Sequence, residues 1–550
     1  VKERLKMNNF DWKKLQNGSD IRGVALEGVA NEAVNLTPQV ANILGKAFVK
    51  WLEQKVGKPA SDLTISVGRD SRLSGPELMQ GVMDGISSIG SRVYDFAMAS
   101  TPAMFVSTVT SGFDCDGAIM LTASHLPFNR NGLKFFTDQG GLEKKDISDI
   151  LALAERNEFE EAVEKGAIEQ HDFISVYADG FVNKIRQSVN HPQHFEQPLQ
   201  GLKIIVDAGN GAGGFYAQKV LAPLGADTTG SQFLEPDGTF PNHIPNPENK
   251  EAMASICQAV IDNKADFGII FDTDVDRAAA VDQFGKELNR NRLIALISAI
   301  VLREHPGSTI VTDSITSDGL TQFIEAELKG VHHRFKRGYK NVINESIRLN
   351  QEGQDSWLAI ETSGHGAMKE NYFLDDGAYL VSKLLIELAQ SKLEGKSLPD
   401  LIANLKEPEE SEEFRLKIGV ADFKSYGHEV IEKLKVFVSE QSDWTVVPNN
   451  YEGMRVSCRS SVEDGWFLLR LSLHDPVLPL NIESNVKGGV SQIATRLIDF
   501  FQDFESLDIS ACSPTLRLPD SPSLLLPHCQ PMGYFWLGTL GNSSVIGYIV

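Results

Sequence analysis

Short apolar runs rich in β-branched residues, each cut off abruptly by Gly, Asp or Ser, constrain this chain more than any other feature. The clearest are LTISVG (63–68), DGAIML (116–121), LKIIVDAG (202–209), ADFGIIFD (265–272), STIVTD (308–313) and WLAIET (357–362). Segments with helical spacing of apolar residues follow them. Strand and helix in alternation is the pattern of βαβ units, which build partly parallel sheets covered by helices, so the expected fold class is α/β. In such folds function belongs in the loops at the strand ends.

A chain of 550 residues holds about three to five folding units at roughly 100–200 residues each. Stretches rich in Pro, His, Gln or charge punctuate it: HPQHFEQPLQG (191–201), REHPGS (303–308) and LKEPEESEE (405–413), where we place domain boundaries. With 42% hydrophobic and 23% charged residues the composition is that of a globular protein, not a disordered, collagenous or disulfide-scaffold one. Lys and Arg number 52 against 74 Asp and Glu, a net charge of −22 that repels nucleic acid and anionic lipid at long range. Neither is an expected partner, and an anionic substrate would need a local cationic pocket.

The five cysteines, Cys115, Cys257, Cys458, Cys512 and Cys529, are scattered without a CxxC pair, which fits a reducing compartment. The opening VKERLKMNNF has no apolar signal core, but it starts on Val1, so a removed transit peptide stays open. A soluble intracellular protein is expected, with chloroplast stroma and cytosol as alternatives. After about Ser510 the character changes: between Cys512 and Val550 only Arg517 and Asp520 carry charge. Polar residues break this stretch before a membrane span of ~20 apolar residues is reached. It is expected to be poorly ordered, either a docking segment or sequence outside the normal reading frame.

Five loops carry residues suited to chemistry. In LTASHLPFNRNGLKFF (121–136) a strand runs into Ser124 and His125, with Lys134 after a turn. Serine is a weak nucleophile that needs a base, a metal or prior phosphorylation, and the alternative is a turn capped by its own hydroxyls. In FDTDVDRAAAVD (271–282), Asp272, Asp274 and Asp276 crowd a strand end. Their mutual repulsion suits a hard, oxygen-ligated cation such as Mg²⁺, the alternative being a solvated acidic turn. An EF-hand does not fit, because its sixth and twelfth positions would be Arg277 and Gln283.

The run VDAGNGAGGFYAQKVLAPLG (206–225) satisfies GxGxxG with Glu235 about 20 residues on, a dinucleotide signature; Asp207 beside the proposed pyrophosphate argues instead for a plain tight turn. In IETSGHGAMKENYFLDDGAYL (360–380), Glu361, Ser363 and His365 suit hydroxyl-rich ligands and proton movement, or else form a capped turn before a helix near Asp376. In EDGWFLLRLSLHDP (463–476), Arg470, Ser472 and His474 alternate, sharing one face of an extended strand that either binds phosphate or is simply half-buried.

In this order the loops resemble the α-D-phosphohexomutases, the phosphoglucomutase/phosphomannomutase family, and most nearly its plastid-type plant members. NGSDIRGVA (17–25), VGRDSRLSGPEL (67–78), YDFAMASTPAM (94–104) and TASHLPFNRNGLKF (122–135) are similar to the family's first domain. LKIIVDAGNGAG, PDGTFPNHIPNPE (236–248) and FDTDVDR resemble the second, ETSGHG with FLDDGAY the third, and DGWFLLRLSLHDP the fourth. The resemblance runs from about Asn17 to Phe504.

It implies a four-domain, heart-shaped molecule, three mixed α/β domains and a smaller C-terminal α+β domain around a cleft. The corresponding ranges are 1–197, 198–305, 306–408 and 409–505, with 506–550 an atypical tail. It implies a Mg²⁺-dependent isomerase, with one ion per active site, that moves phosphate between C1 and C6 of glucose or mannose phosphates. Ser124 would be carried as phosphoserine, a hexose bisphosphate would be the intermediate or activator, and the enzyme would be a monomer or weak homo-oligomer. By the same resemblance Asp272, Asp274, Asp276 and the Ser124 phosphate hold the metal. Arg22, Lys134 and Arg277 surround the transferring group, His125 flanks the serine and His365 carries a proton. Glu361 and Ser363 bind sugar hydroxyls, Tyr339 lies in the sugar-selecting loop, and Arg470, Ser472 and His474 bind the non-reacting phosphate.

Three places depart from the family pattern. Thr273 and Val275 replace the glycines of the usual DGDGDR, Tyr339 stands where a GH pair is common, and Leu473, His474 and Asp475 fill the middle of the phosphate loop. The altered phosphate loop motivates an alternative, a catalytically weakened homologue that binds sugar phosphate as a regulatory or interaction protein. A nicotinamide-dependent oxidoreductase built on GNGAGG is the remaining rival.

Overall fold

The computed structural model describes residues 10–472 and 475–512, arranged around four sheets. The expectation of a poorly ordered tail concerns 513–550, outside the described residues. The first sheet contains β1 (Gln16–Asn17), β2 (Asp20–Val24), β3 (Thr64–Arg69), β4 (Arg92–Met98), β5 (Gly117–Leu121), β6 (Arg130–Thr137), β7 (Gly140–Gly141) and β8 (Ile168–Gln170). Its order is β1-β2-β6-β5-β3-β4-β8, with β7 on β6. The β5-β3-β4-β8 half is parallel and the β2-β6-β5 half antiparallel. Every residue of β5 is buried, as a central strand covered by helices on both faces requires. The helices are α1 (Pro38–Val56), α2 (Gly75–Ser88), α3 (Thr101–Val109), α4 (Lys144–Arg156) and α5 (Phe173–Val189).

The second and third sheets are four-stranded. β9 (Ile204–Asp207), β10 (Phe267–Phe271), β11 (Ala278–Asp282) and β12 (Glu287–Leu288) run in the order β12-β11-β10-β9, with helices α6 (Lys250–Asn263) and α7 (Arg290–Glu304). β13 (Thr309–Thr312), β14 (Val331–Arg334), β15 (Ser356–Ile360) and β16 (Gly366–Met368) run as β14-β13-β15-β16, with α8 (Asp318–Gln322), α9 (Tyr339–Gln351) and α10 (Gly377–Leu393). Asp376 caps α10 by accepting the Tyr379 N–H at 2.9 Å. One apolar core runs unbroken through these three units, from Phe96 and Phe105 through Phe181, Tyr216 and Phe271 to Leu384. The loops at the strand ends are thereby anchored to a common body.

The fourth sheet is wholly antiparallel, β18 (Trp444–Val446), β19 (Met454–Cys458), β20 (Gly465–Leu469), β21 (Val477–Ser484), β17 (Glu410–Ile418) and β22 (Leu507–Asp508), with its own core and helices α11 (Phe423–Ser439) and α12 (Gly489–Phe501). Residues 410–413 of the charged strip, which punctuates the sequence, become the start of β17: Phe414, Leu416 and Ile418 alternate inward with Glu413, Arg415 and Lys417 exposed between them, and Glu410, on the inward face, accepts the Gly488 N–H at 2.7 Å. β22 pairs with the end of β17 through Lys417↔Asp508 and Ile418↔Leu507, so residues just past 505 complete this sheet. β20 ends at Leu469, but its antiparallel pairing with β21 runs on in the same register, Arg470 N–H to Pro479 O at 3.1 Å and Ser472 N–H to Val477 O at 3.1 Å, so the extended reading holds over Arg470 and Ser472.

Candidate active site

β5 delivers Ser124. Where the strand ends, the Thr122 hydroxyl accepts the Ser124 N–H at 2.9 Å, and Ser124 takes a left-handed φ of +49° that throws its side chain across the domain boundary. Its Oγ donates to Asp272 Oδ2 at 3.1 Å, accepts from Arg277 Nη2 at 3.3 Å and lies 3.3 Å from His125 Nδ1. Arg277 Nη2 also donates to His125 Nδ1 at 2.7 Å. The His125 proton therefore sits on Nε2, and desolvation followed by the Arg277 charge lowers its pKa. Beside this loop Arg22 donates to Thr122 O at 2.7 Å and to Asp20 Oδ2 at 2.9 Å.

β10 delivers the carboxylates. Asp272, Asp274 and Asp276 are all buried, and one oxygen from each lies within 4.8 Å of the others. The loop is braced on three sides. Ala212 N–H donates to Thr273 O at 2.8 Å, and a side chain on neighbouring Gly211 would put its Cβ 2.7 Å from that carbonyl. Within the GNGAGG run Gly211 thus serves close approach to the acidic loop, while Gly209 abuts Pro245 and Gly214 abuts Leu234 O. At the start of α3, Thr101 N–H donates to Asp274 O at 2.8 Å and its hydroxyl to Asp274 Oδ2 at 2.5 Å. Gly377 N–H holds Val275 O at 3.1 Å. Val275 itself sits at φ +67°. The position keeps the backbone shape a glycine would take, although a β-branched side chain there is strained.

Cations surround the triad. Lys134 Nζ lies 2.5 Å from Asp276 Oδ2 and 3.2 Å from Asp274 Oδ2, and Arg277 Nε 3.2 Å from Asp272 Oδ2. Two carboxylate oxygens, Asp274 Oδ1 and Asp276 Oδ1, are buried and accept no hydrogen bond. Burial, then Asp276 and Asp274, push the Asp272 carboxyl well above its ordinary range; burial also raises Asp276, but Lys134, His365 and Arg277 together hold it below. Orphaned oxygens in an all-carboxylate set fit a hard divalent cation, which would relieve both the lost hydrogen bonds and the repulsion.

The third unit supplies the opposite wall. His365 pairs with Arg277 in a backbone bridge, and its Nδ1 lies 2.5 Å from Asp375 Oδ2. Against the cost of burial, Asp375 lifts its pKa to about 9, so the ring is cationic at neutral pH. Tyr339 stacks on it with ring centroids 5.2 Å apart. Glu361 Oε1 accepts the Gly338 N–H at 2.6 Å and Ser363 Oγ lies 3.4 Å from Oε2; burial and then Asp313 push Glu361 up to about 7.

Arg470 and Ser472 stand on the fourth unit. Arg470 Nη1 is 3.8 Å from Glu452 Oε1, whose other oxygen accepts Ser314 Oγ at 2.7 Å and Arg337 N–H at 3.1 Å, tying this loop to the third unit. His474 lies outside the described residues. Side chains that the sequence does not single out also reach the group: Thr101, Asn246, whose Oδ1 takes Arg277 Nη1 at 3.2 Å, and Glu452. Thr101 opens α3, and Asn246 and Glu452 lie in loops; none is near its partner in sequence, and no local spacing signals such a meeting.

A hydroxyl against an acidic triad, ringed by Arg and Lys and facing hydroxyl-binding groups, is a constellation for phosphoryl transfer to or from a polar substrate. Family models for phosphoglucomutase/phosphomannomutase α/β/α domains I, II and III match residues 13–161, 179–285 and 289–408. A phosphoglucomutase of Neisseria gonorrhoeae is 30% identical over 485 residues, covering 87% of this chain and 94% of that protein. A phosphomannomutase/phosphoglucomutase of Pseudomonas syringae pv. tomato is 29% identical over 494 residues, 88% and 96% of the two chains. The crystal structure of a phosphoglucomutase/phosphomannomutase family protein from Burkholderia thailandensis superposes with a TM-score of 0.71 at 27% identity, covering 90% of this chain and 98% of that one. The chain belongs to the phosphoglucomutase/phosphomannomutase family. Among the described residues no helix is long and apolar enough to cross a membrane.

Proposed function

We propose that the chain interconverts hexose 1-phosphate and hexose 6-phosphate, with Ser124 as the phosphoryl carrier. The observation that carries this reading is the Ser124 Oγ to Asp272 Oδ2 contact of 3.1 Å between groups 148 residues apart, inside a ring of Arg277, Lys134 and Arg22. Asp272, Asp274 and Asp276 would hold Mg²⁺, which when bound supplies electrostatic stabilisation of phosphate oxygens.

The chain's own groups divide the remaining work. Arg277 spans Asp272, Asn246 and the serine oxygen, so it fixes the direction from which a phosphoryl group is received and balances its charge. Lys134 neutralises Asp274 and Asp276. His365, cationic and backed by Asp375, can give a proton to a sugar oxygen and take it back. Ionised Glu361 with Ser363 would accept and donate to sugar hydroxyls, Tyr339 would limit the space beside His365, and Arg470 with Ser472 would take the phosphate that does not react. The bisphosphate formed on the first transfer must turn round before its other phosphate returns to Ser124.

Intact-mass measurement after exposure to glucose 1,6-bisphosphate, combined with a coupled assay of glucose 1-phosphate conversion, tests the reading. We expect one added phosphate, on Ser124, and turnover that Ser124→Ala abolishes while the melting temperature stays nearly unchanged. Full activity in Ser124→Ala would overturn it.

A further inference from the structure

Arg72 is wholly buried, lies 52 residues from Ser124 in sequence, and hydrogen-bonds to none of the acidic, cationic or sugar-facing side chains described above. All four hydrogens of its two terminal nitrogens are nevertheless spent on one object. Nη2 donates to Ser124 O at 2.5 Å and Leu126 O at 2.6 Å, and Nη1 to Pro127 O at 2.8 Å and Arg130 O at 3.0 Å. The main-chain carbonyls of the serine loop thus converge on a single guanidinium. The Thr122 hydroxyl caps the N–H of Ser124, held at a left-handed φ, and Leu126 N–H closes a turn on Ala123 O at 3.0 Å, but the Ser124 and Leu126 carbonyls are taken by Arg72.

The clamp is itself held. Asp70 accepts the Arg72 N–H at 3.0 Å and lies 3.4 Å from Nε, while Asp70 N–H bonds Leu121 O at 3.1 Å at the end of β5. From the second unit the Phe240 ring covers the guanidinium at 5.4 Å, and Gly238 lies so close that a Cβ there would be 2.5 Å from Ser71 O and Leu73 N. That segment, 236–248, continues to Asn246 and Glu248, which bear on Arg277.

We propose that Arg72 is a positioning residue: its guanidinium sets the conformation of the Ser124–Arg130 loop, and the 236–240 segment seals it so that the serine is aligned only when the first and second units are docked. The requirement is for the fork. Four acceptors in two pairs match the planar donors of arginine, whereas the ammonium of lysine is a point charge with three donors. Arginine chemistry here acts on peptide carbonyls rather than on substrate phosphate. The consequence for turnover rests on the reading of Ser124 as phosphoryl carrier; the consequence for loop order does not.

The test compares wild type, Arg72→Lys, Arg72→Ala and Phe240→Leu by hydrogen exchange over residues 121–131 and by steady-state kinetics. In Arg72→Lys we expect exchange in that loop to rise about ten- to a hundred-fold, with the rest of the first sheet unchanged. kcat should fall on the order of 100-fold while KM changes little, as for a misaligned reacting group that leaves binding intact. Added guanidinium ion should restore both loop protection and part of kcat in Arg72→Ala, but not in Arg72→Lys, whose ammonium fills the slot. Phe240→Leu leaves every hydrogen bond of Arg72 in place and should raise exchange in the same loop about two- to five-fold. Wild-type exchange and kcat in Arg72→Lys would overturn the proposal. So would exchange that rises evenly across the first sheet without guanidinium rescue, which would mean a packing role only. If wild type carried no phosphate on Ser124 and turned nothing over, the mutase reading would fall, and loop exchange with its guanidinium rescue would still decide the role of Arg72.

Discussion

Val275 concentrates a local conflict: its side chain is fully buried, yet its φ of +67° suits glycine. Removing the side chain loses roughly 1.5–3 kcal/mol of burial. Relieving the strain returns about 1–3 kcal/mol, but only if the replacement is glycine. The usual order of substitutions therefore inverts: chemical denaturation should show Val275→Ala to be less stable than Val275→Gly, by about 1 kcal/mol. Equal or opposite ranking would show that the loop is not strained. Glu361 makes a pH prediction. Its folded pKa of about 7 lies above the ordinary value of 4.5, so below pH 4.5 the group is neutral in both states and costs nothing. Between those values the unfolded chain ionises first and stability falls as pH rises, reaching a plateau above about 7. On the proposed role the ionised form would accept a sugar hydroxyl, so KM should fall through the same window. Glu361→Gln should flatten the stability slope, and a slope that persists unchanged would remove Glu361 as its source.

At the scale of elements, the strand ends and helix starts do the placing. α3 begins with Ser100 as its cap, accepting the Ala103 N–H at 3.3 Å, and its first N–H, from Thr101, is turned onto Asp274 O. Ser100→Ala should cost about 1 kcal/mol in thermal or urea unfolding. It should also raise the Mg²⁺ concentration needed for half-maximal activity, because the frayed turn releases the acidic loop. An unchanged metal requirement would separate the cap from the site. The strands β5, β10, β13 and β15 were legible in the sequence because a buried strand needs an unbroken apolar run, and the run ends where polar chemistry begins. Less legible was the strip 405–413, whose density of glutamates masks the inward alternation of Phe414, Leu416 and Ile418. The alternation at Arg470 and Ser472 was legible as extended backbone, and the pairing with Pro479 and Val477 continues the β20–β21 register there.

Across the whole molecule, the reacting part of the candidate site forms only where three units meet: Ser124 from the first, the acidic loop and Arg277 from the second, His365 and Glu361 from the third, with Arg470 and Ser472 on the fourth. A cation held by Asp272, Asp274 and Asp276 would also steady that meeting, since Thr101 and Lys134 of the first unit grip the same carboxylates. Stripping divalent ions with a chelator should lower the melting temperature, and Mg²⁺ at about 100 times its dissociation constant should restore about 2.7 kcal/mol. Asp274→Asn should remove most of that difference. A melting temperature indifferent to Mg²⁺ in the wild type would argue against a resident ion at the triad.

The sequence by itself determined the α/β class, the strand-end loops and the kinds of residue that fill them, because apolar period and abrupt polar termination are local properties written residue by residue. It also carried the order of loops that resembles the phosphohexomutases, and the family comparisons agree. Only the tertiary structure decided which groups touch: Thr101 on Asp274, Asn246 on Arg277, Glu452 on Arg470, and Arg72 beneath the serine loop. Those contacts join positions tens to hundreds of residues apart, and they form because several sheets pack on one apolar core and turn their loop ends toward a common space. Distance along the chain says nothing about such neighbours; the shape of the packed core does.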